Sequence, residues 1–161
     1  MAIDYEQIAR DNIRRFGTDV GTYGPVLLAQ LSSDRTHFVY ELLQNAEDAG
    51  ASRIQFTVFP DRLEVRHDGR PFNEADVQGI CGLVSGTKTE DLTQIGKFGI
   101  GFKSVYAYTT TPEIHSGHES FRIENYVRPF AVQLRYIGDS WTTLFVFPFN
   151  KEDVKSVVAC K

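Results

Sequence analysis

Residues 53–59 (RIQFTVF) and 62–67 (RLEVRH) alternate apolar and polar side chains on either side of Pro60-Asp61. A period of two sends successive side chains to opposite faces of a strand, and Pro-Asp is turn chemistry, so these runs read as one β-hairpin. The flanking chain is helical in pattern. Tyr5, Ile8, Ala9, Asn12, Ile13 and Phe16 recur at helical spacing, which predicts an amphipathic helix over 4–16. Pro25 opens a short helix through Leu31. Ser32, Ser33 and Asp34 offer N-caps for a stronger helix over 35–49, which Gly50 ends. Downstream, Asn73 caps a helix running to about Leu83, and a further helix follows Gly101. Strands are predicted at 112–116, 119–124, 130–137 and 141–149, with Gly138-Asp139 turning the last hairpin. This order lacks the regular strand–helix alternation of a doubly wound sheet. It predicts an α+β two-layer sandwich: helices on one face of a mixed, mostly antiparallel sheet.

A chain of 161 residues suits one domain with a sizeable core. We read 1–161 as that domain, with 1–30 as an N-terminal helical segment. Residues 150–161 begin a helix that the chain cuts off, so a piece of a longer protein is expected. The net charge of −4 leaves no basic surplus for a phosphate backbone, and nucleic acid is not expected as a partner. No apolar run approaches the roughly 20 residues of a membrane span. The N-terminus lacks an apolar signal core. Cys81 and Cys160 stand far apart, as plain thiols do in a reducing setting, and a cytoplasmic location is expected.

In ELLQNAEDAG, residues 41–50, Glu41, Asn45 and Asp48 are spaced to share one helical face. Phe38, Leu42, Ala46 and Ala49 form the neighbouring apolar stripe. Two carboxylates and an amide in a row suit a hard cation such as magnesium, which takes oxygen ligands and shares its shell with water and phosphates. Asn45 would ligate through its amide oxygen, and Glu41 would accept a proton from an attacking water. A solvated polar face is the alternative.

GKFGIGFKS, residues 96–104, looks at first like a Walker A loop, but Phe102 separates Gly101 from Lys103, whereas that loop has its lysine directly after the last glycine. Gly96, Gly99 and Gly101 allow close backbone approach, and their N–H groups can hold an anion. Ser85, Gly86, Thr87 and Lys88, in the polar run 84–95, could fold over a polyphosphate as a lid. A tightly packed turn and a plain surface loop are the alternatives.

Taken in order, ELLQNAEDA, VRHDGRPF with SGTK, and IGKFGIGFKSVY resemble the motifs of the GHKL, or Bergerat-fold, ATPases. That superfamily includes gyrase, the ninety-kilodalton heat-shock chaperones, histidine kinases and MutL proteins. SGTK with IGKFGIGFKS is similar to the heat-shock branch, and HDGRPF with GFKSVY looks closer still to sacsin-type domains. The likeness covers roughly residues 30–149. It implies an Mg-ATP-binding, chaperone-like ATPase module in which slow hydrolysis is coupled to lid closure. ATP or ADP and Mg2+ are the implied cofactors; downstream domains and a protein client are the implied partners. A nucleotide-binding module without catalysis and a histidine kinase catalytic domain are the other readings.

The resemblance also implies roles. Glu41 would be the general base and Asn45 the magnesium ligand, with Asp48 and Ala49 lining the nucleotide cleft. Gly96, Lys97, Phe98, Gly99, Ile100, Gly101 and Phe102 would form the lid hinge and phosphate cradle. Gly69 and Phe72 belong to the second motif, and Thr143 would help hold adenine. His67 stands where the family has the aspartate that reads adenine, and Asp68 follows it; either could take that role. Pro71 replaces the family's second glycine. Many relatives receive a cation for the γ-phosphate from a following domain, and the local cations here are Lys88, Lys97 and Lys103, so slow turnover is expected. His115 and His118, in HSGH, read as a solvated turn, and Trp141 with FVFPF as core.

Overall fold

The computed structural model describes residues 2–19, 37–82 and 102–151. Helix α1 (Tyr5–Phe16) begins where the Asp4 side chain accepts the Gln7 N–H and ends at Gly17, whose φ of 84° suits glycine. Helix α2 is His37–Asp48. Strands β1 (Ile54–Val58) and β2 (Arg62–His67) form the expected hairpin. Helix α3 (Glu74–Cys81) opens on a capping box between Asn73 and Asp76. A 3-10 helix (Phe102–Ala107) follows, then β3 (Glu113–Ser116), β4 (Glu119–Glu124), β5 (Arg128–Ala131) and β6 (Thr143–Pro148).

The strands form a six-stranded sheet in the order β1-β2-β6-β3-β4-β5. Each pairing is antiparallel, so the expected mixed character is not observed among the described residues. One face carries Leu63 and Val65 of β2, Phe145 and Phe147 of β6, Ile114 of β3, and Phe121 and Ile123 of β4. Against them pack Ile8 of α1, Leu42 of α2, Val77 and Ile80 of α3, and Phe102, Val105 and Tyr106 of the 3-10 helix. The architecture is thus the two-layer α+β sandwich, with its core between helices and sheet.

Three expectations about the later elements need correction. The strand predicted over 130–137 is β5, Arg128–Ala131, and 132–140 is irregular. The predicted final hairpin does not form, because β6 pairs with β2 and β3 rather than with β5. The chain must cross from an edge strand to the middle of the sheet, and it cannot stay paired on the way. Gly138, at φ 97°, does turn the chain, with Trp141 N–H donating to its carbonyl at 3.2 Å, but this turn joins no paired strands. The helix expected after Gly101 is a 3-10 helix. Its three-residue period aligns Phe102 with Val105 toward the core, and Lys103 is also drawn inward.

The opposite face of the sheet is charged. Glu64 is buried there and accepts from Arg62, Arg66 and Arg135. Burial alone would raise its carboxyl, but the Arg62 hydrogen bond, the charge of Arg135 and the Arg66 hydrogen bond outweigh that and hold it low. Arg135 reaches Glu64 from the 132–140 crossing segment. His115 is not solvated as expected. It is buried on β3, bonded to Ser120 Oγ at 2.9 Å and Glu113 Oε1 at 2.6 Å; only His118 is exposed. Trp141 is half-buried under the Arg53 guanidinium rather than in the core.

Candidate functional site

At one end of the core face the sheet turns polar. Register places His67 opposite Thr143, and Thr143 opposite Ser116, so the three side chains form one row across β2, β6 and β3. All three are buried. Ser116 Oγ and Thr143 Oγ1 share a hydrogen bond of 2.6 Å, and Phe72 N–H donates to Ser116 Oγ at 2.9 Å. Gly69 N–H donates to His67 Nδ1 at 3.1 Å. The Phe72 ring meets Phe145 edge-on, which closes the apolar side of the row. Ser116 is the member that the sequence reading missed. Nothing in EIHS marks it locally; only the register of β3 on β6 brings it beside Thr143.

The 67–72 loop is fastened to the end of α2. Arg70 N–H donates to the Ala49 carbonyl at 2.8 Å. A Cβ at Gly69 would lie 2.8 Å from the same carbonyl oxygen and 2.9 Å from the Ala49 Cβ, so the close approach requires glycine. One turn before Ala49 stands Asn45. It is only 3% exposed, and among the described residues Nδ2 has no hydrogen-bond partner. A polar atom so placed ordinarily costs about 1–3 kcal/mol.

The expected shared face of Glu41, Asn45 and Asp48 is split by packing. Asn45 turns inward beside Leu42 and Ala46, Glu41 is half-buried, and Asp48 is exposed. The stripe reaches one residue further round the helix than the apolar pattern alone indicates.

His67 and Asp68 take opposite parts. Asp68 accepts from Ser52 N–H at 2.8 Å, Ser52 Oγ at 2.5 Å, Arg53 N–H at 2.9 Å and Arg53 Nε at 3.3 Å. The Ser52 hydroxyl, then the Arg53 and Ser52 amides, hold its carboxyl well below the usual range. Its oxygens are therefore engaged in closing the 51–53 turn. His67 is buried, and burial is the chief cause that pushes its ring down to about 4, against the opposing charge of Asp68. It is neutral at physiological pH.

The remaining expectations divide between core and residues outside the description. The Phe102 ring packs on Phe145 and Phe147, within the core. Lys103 Nζ donates to the Ile80 and Tyr126 carbonyls, each at 2.7 Å, so this cation serves the fold rather than standing ready for an anion. Burial lowers it to about 8 despite the favourable charge of Cys81. Ser85, Gly86, Thr87, Lys88, Gly96, Lys97, Phe98, Gly99, Ile100 and Gly101 lie outside the described residues, as do Pro25–Leu31, Cys160 and the helix expected to begin at 150–161, beyond Lys151.

The Sacsin domain family matches residues 60–125, a span that includes β2, the 67–72 loop, α3, the 3-10 helix, β3 and β4. Human sacsin is 38% identical over 96 residues, covering 49% of this chain and 2% of its own length. Protein NO VEIN of Arabidopsis thaliana is 32% identical over 153 residues, 79% of this chain and 6% of its own. Chaperone protein HtpG of Aliarcobacter butzleri (strain RM4018) is 29% identical over 126 residues, 57% of this chain and 20% of its own. The chain thus corresponds to a small part of each relative. Fold and similarity together define the class: a two-layer α+β module similar to parts of sacsin and of HtpG. Within that class the chain carries a sacsin-type domain, related to the GHKL and Hsp90-like ATPases. Among the described residues, no helix is long and apolar enough to cross a membrane.

Proposed function

We propose that this domain binds Mg-ATP and Mg-ADP, as the nucleotide module of a longer chaperone-like protein. The observation that carries the reading is the Asn45 amide, buried beside the Ala49–Gly69 junction with no partner for Nδ2. A folded domain tolerates an unsatisfied polar atom of this kind where a ligand supplies what the protein does not. Asn45 fits a magnesium–phosphate group: its unpartnered Nδ2 would donate to a phosphate oxygen, and its amide oxygen would be the protein's own ligand to the ion, with water and phosphate oxygens completing the shell. The bound ion would draw charge from the phosphates. Glu41, one turn away on α2, would orient water, and the glycines at 96–101 would receive phosphate oxygens on backbone N–H groups. The row of His67, Thr143 and Ser116 would meet the base.

Isothermal titration with Mg-ADP tests the reading. The wild-type chain should bind, and Asn45→Ala should weaken binding about tenfold or more, as loss of a charge-assisted contact does. No binding by the wild type up to millimolar nucleotide, or equal affinity in both chains, overturns it.

A second reading, nucleotide binding without hydrolysis, draws on Lys103. The Ile80 and Tyr126 carbonyls engage its ammonium, so it does not serve the γ-phosphate. Phosphoryl transfer that lacks such a cation is slower by ~10³-fold or more. ATP turnover by the 161-residue chain that Glu41→Gln abolishes would exclude this second reading.

A further inference from the structure

The sheet order ends on β5, and among the described residues this strand pairs with β4 alone, so its other edge is open. Val132 N–H donates to the Ser120 carbonyl at 3.0 Å. Backbone groups alternate sides along an antiparallel strand, so Phe130 and Arg128 also turn theirs toward β4, while Ala131 and Pro129 turn theirs away. The open edge therefore presents the Ala131 N–H, the Ala131 carbonyl and the Pro129 carbonyl. Helix α1 packs against the same strand, and a groove of about 800 Å³ runs between them. Its lining is largely apolar: Ile3, Ala9 and Ile13 on the helix side, and Pro129, Phe130 and Ala131 on the strand side. Phe130 is 42% exposed. Unpaired strand groups beside an apolar trough are what an extended chain recognises.

The charges about the groove select among such chains. Asp4 caps α1, and Glu6 holds Arg10 at 3.4 Å, so these charges are already engaged. Arg128 is the remaining charged residue of the lining. Register sets Glu124 opposite it, but that carboxylate accepts from Arg122 at 2.9 Å. The Arg128 Nη2 donates to the Thr18 carbonyl at 3.2 Å, just beyond the end of α1, and its buried Nε has no partner among the described residues. Among those residues Arg128 meets no carboxylate, and it stands at one end of the groove.

We propose that this groove is a docking site for an extended peptide segment of another protein. The segment adds to the sheet beside β5, lays alternate apolar side chains against α1 and sets an aspartate or glutamate side chain on Arg128. Hydrogen bonds to the open edge supply affinity without regard to sequence, and the trough and Arg128 supply selection. Pro129 has no N–H to offer, and that gap discourages indiscriminate pairing at the edge. A peptide that brings its own donor to the Pro129 carbonyl loses nothing by it. The groove shares no residue with the Asn45 site.

Fluorescence anisotropy of the 161-residue chain with a labelled peptide, acetyl-Glu-Val-Thr-Val-Thr-Val-amide, tests the assignment. Saturable binding is expected, weakened about tenfold or more when lysine replaces the peptide's glutamate, as loss of a charged hydrogen bond does. Arg128→Glu should reverse that preference. Ala131→Pro removes the outward N–H, spares the ladder to β4 and should weaken binding about fivefold or more. No saturable binding up to millimolar peptide, equal affinity for the glutamate and lysine peptides, or full affinity in Ala131→Pro overturns the proposal. Should circular dichroism show either variant unfolded, the wild type decides with the two peptides and an N-methylated glutamate peptide. The N-methylated form cannot donate to the edge and should not bind; equal binding overturns the strand addition. Sedimentation showing a concentration-dependent dimer that Ala131→Pro abolishes would put a second copy in the groove and overturn the peptide as its occupant.

Discussion

Two asparagines on the helical side of the core have opposite fates. Asn12 of α1 is 5% exposed, and its amide donates to the Cys81 carbonyl at 3.3 Å and the Val127 carbonyl at 2.7 Å. Asn45 of α2 is buried as deeply, and its amide nitrogen donates to nothing among the described residues. The Asn12 region is a finished joint. Beside it Lys103 bonds the preceding carbonyl of each pair, Ile80 and Tyr126, so a buried amide and a buried ammonium fasten the end of α3 to the β4–β5 turn. The turn itself is held in an unusual form, with Asn125 and Tyr126 both at positive φ. The Asn45 region is an unfinished one, set against a glycine that a Cβ would push away. The difference separates polar atoms that hold the fold from polar atoms the fold leaves unsatisfied.

The largest expected effect tests the unfinished side through His67. Its ring titrates near 4 when folded, against 6.5 for an ordinary histidine. Between those values the unfolded chain takes up a proton that the folded ring refuses. Stability from this group is therefore complete above about pH 6.5 and falls as pH drops toward 4, by about 3 kcal/mol in all. Urea titrations across this window should show the decline in the wild type and its absence in His67→Gln. Parallel pH profiles for the two chains would mean that His67 charges freely in the folded state, and that the buried, neutral ring is the wrong description.

Next comes the finished joint. Asn12→Leu leaves the Cys81 and Val127 carbonyls without their buried donor, and a loss of about 2 kcal/mol is expected from two bare acceptors. A urea midpoint unchanged from wild type would show that water replaces the amide, and the contrast with Asn45 would lose one of its terms.

Much of this fold was legible because its signals are local. The Asn73 cap of α3, Pro60-Asp61 in the first hairpin and the helical spacing of α1 act on neighbours a few residues away. The last hairpin misled for the same reason. Gly138-Asp139 is sound turn chemistry, but a turn cannot report that β6 will insert between β2 and β3. The α2 motif marked Asn45 as polar within a helical stripe, yet spacing alone grouped it with Asp48, which packing leaves outside. The choice between His67 and Asp68 was open in sequence because both immediately precede the same glycine. Their surroundings differ through Ser52 and Arg53, which reach Asp68 only once β1 and β2 are paired. Ser116 depended on register for the same reason. Long-range pairing, not composition, decides these points.

A smaller effect is expected where α2 meets the loop. Gly69→Ala places a methyl group 2.8 Å from the Ala49 oxygen, and backbone on both sides gives way poorly. A loss of about 1–2 kcal/mol is expected, of the kind that overpacking brings. Weaker Mg-ADP binding should accompany it, because the 67–72 loop and the end of α2 would be pushed apart. An alanine variant as stable as wild type would mean the junction is loose and does not set the spacing between Asn45 and His67.

The smallest effect carries an opposite sign, and it separates the two asparagines most sharply. Asn45→Leu fills nearly the same volume, removes an amide nitrogen that has no partner, and puts a better helix former inside α2. Replacing an unsatisfied buried group with an apolar one of similar shape is neutral or favourable, so a gain of about 1 kcal/mol is expected in urea denaturation. The same substitution at Asn12 is expected to be destabilising, although both residues are buried helical asparagines. Stability should therefore rise at Asn45 while Mg-ADP affinity falls, the trade expected of a residue kept for a ligand rather than for the fold. If Asn45→Leu instead destabilises the chain as much as Asn12→Leu does, the Asn45 amide belongs to the folded structure, and the site loses the observation on which it stands.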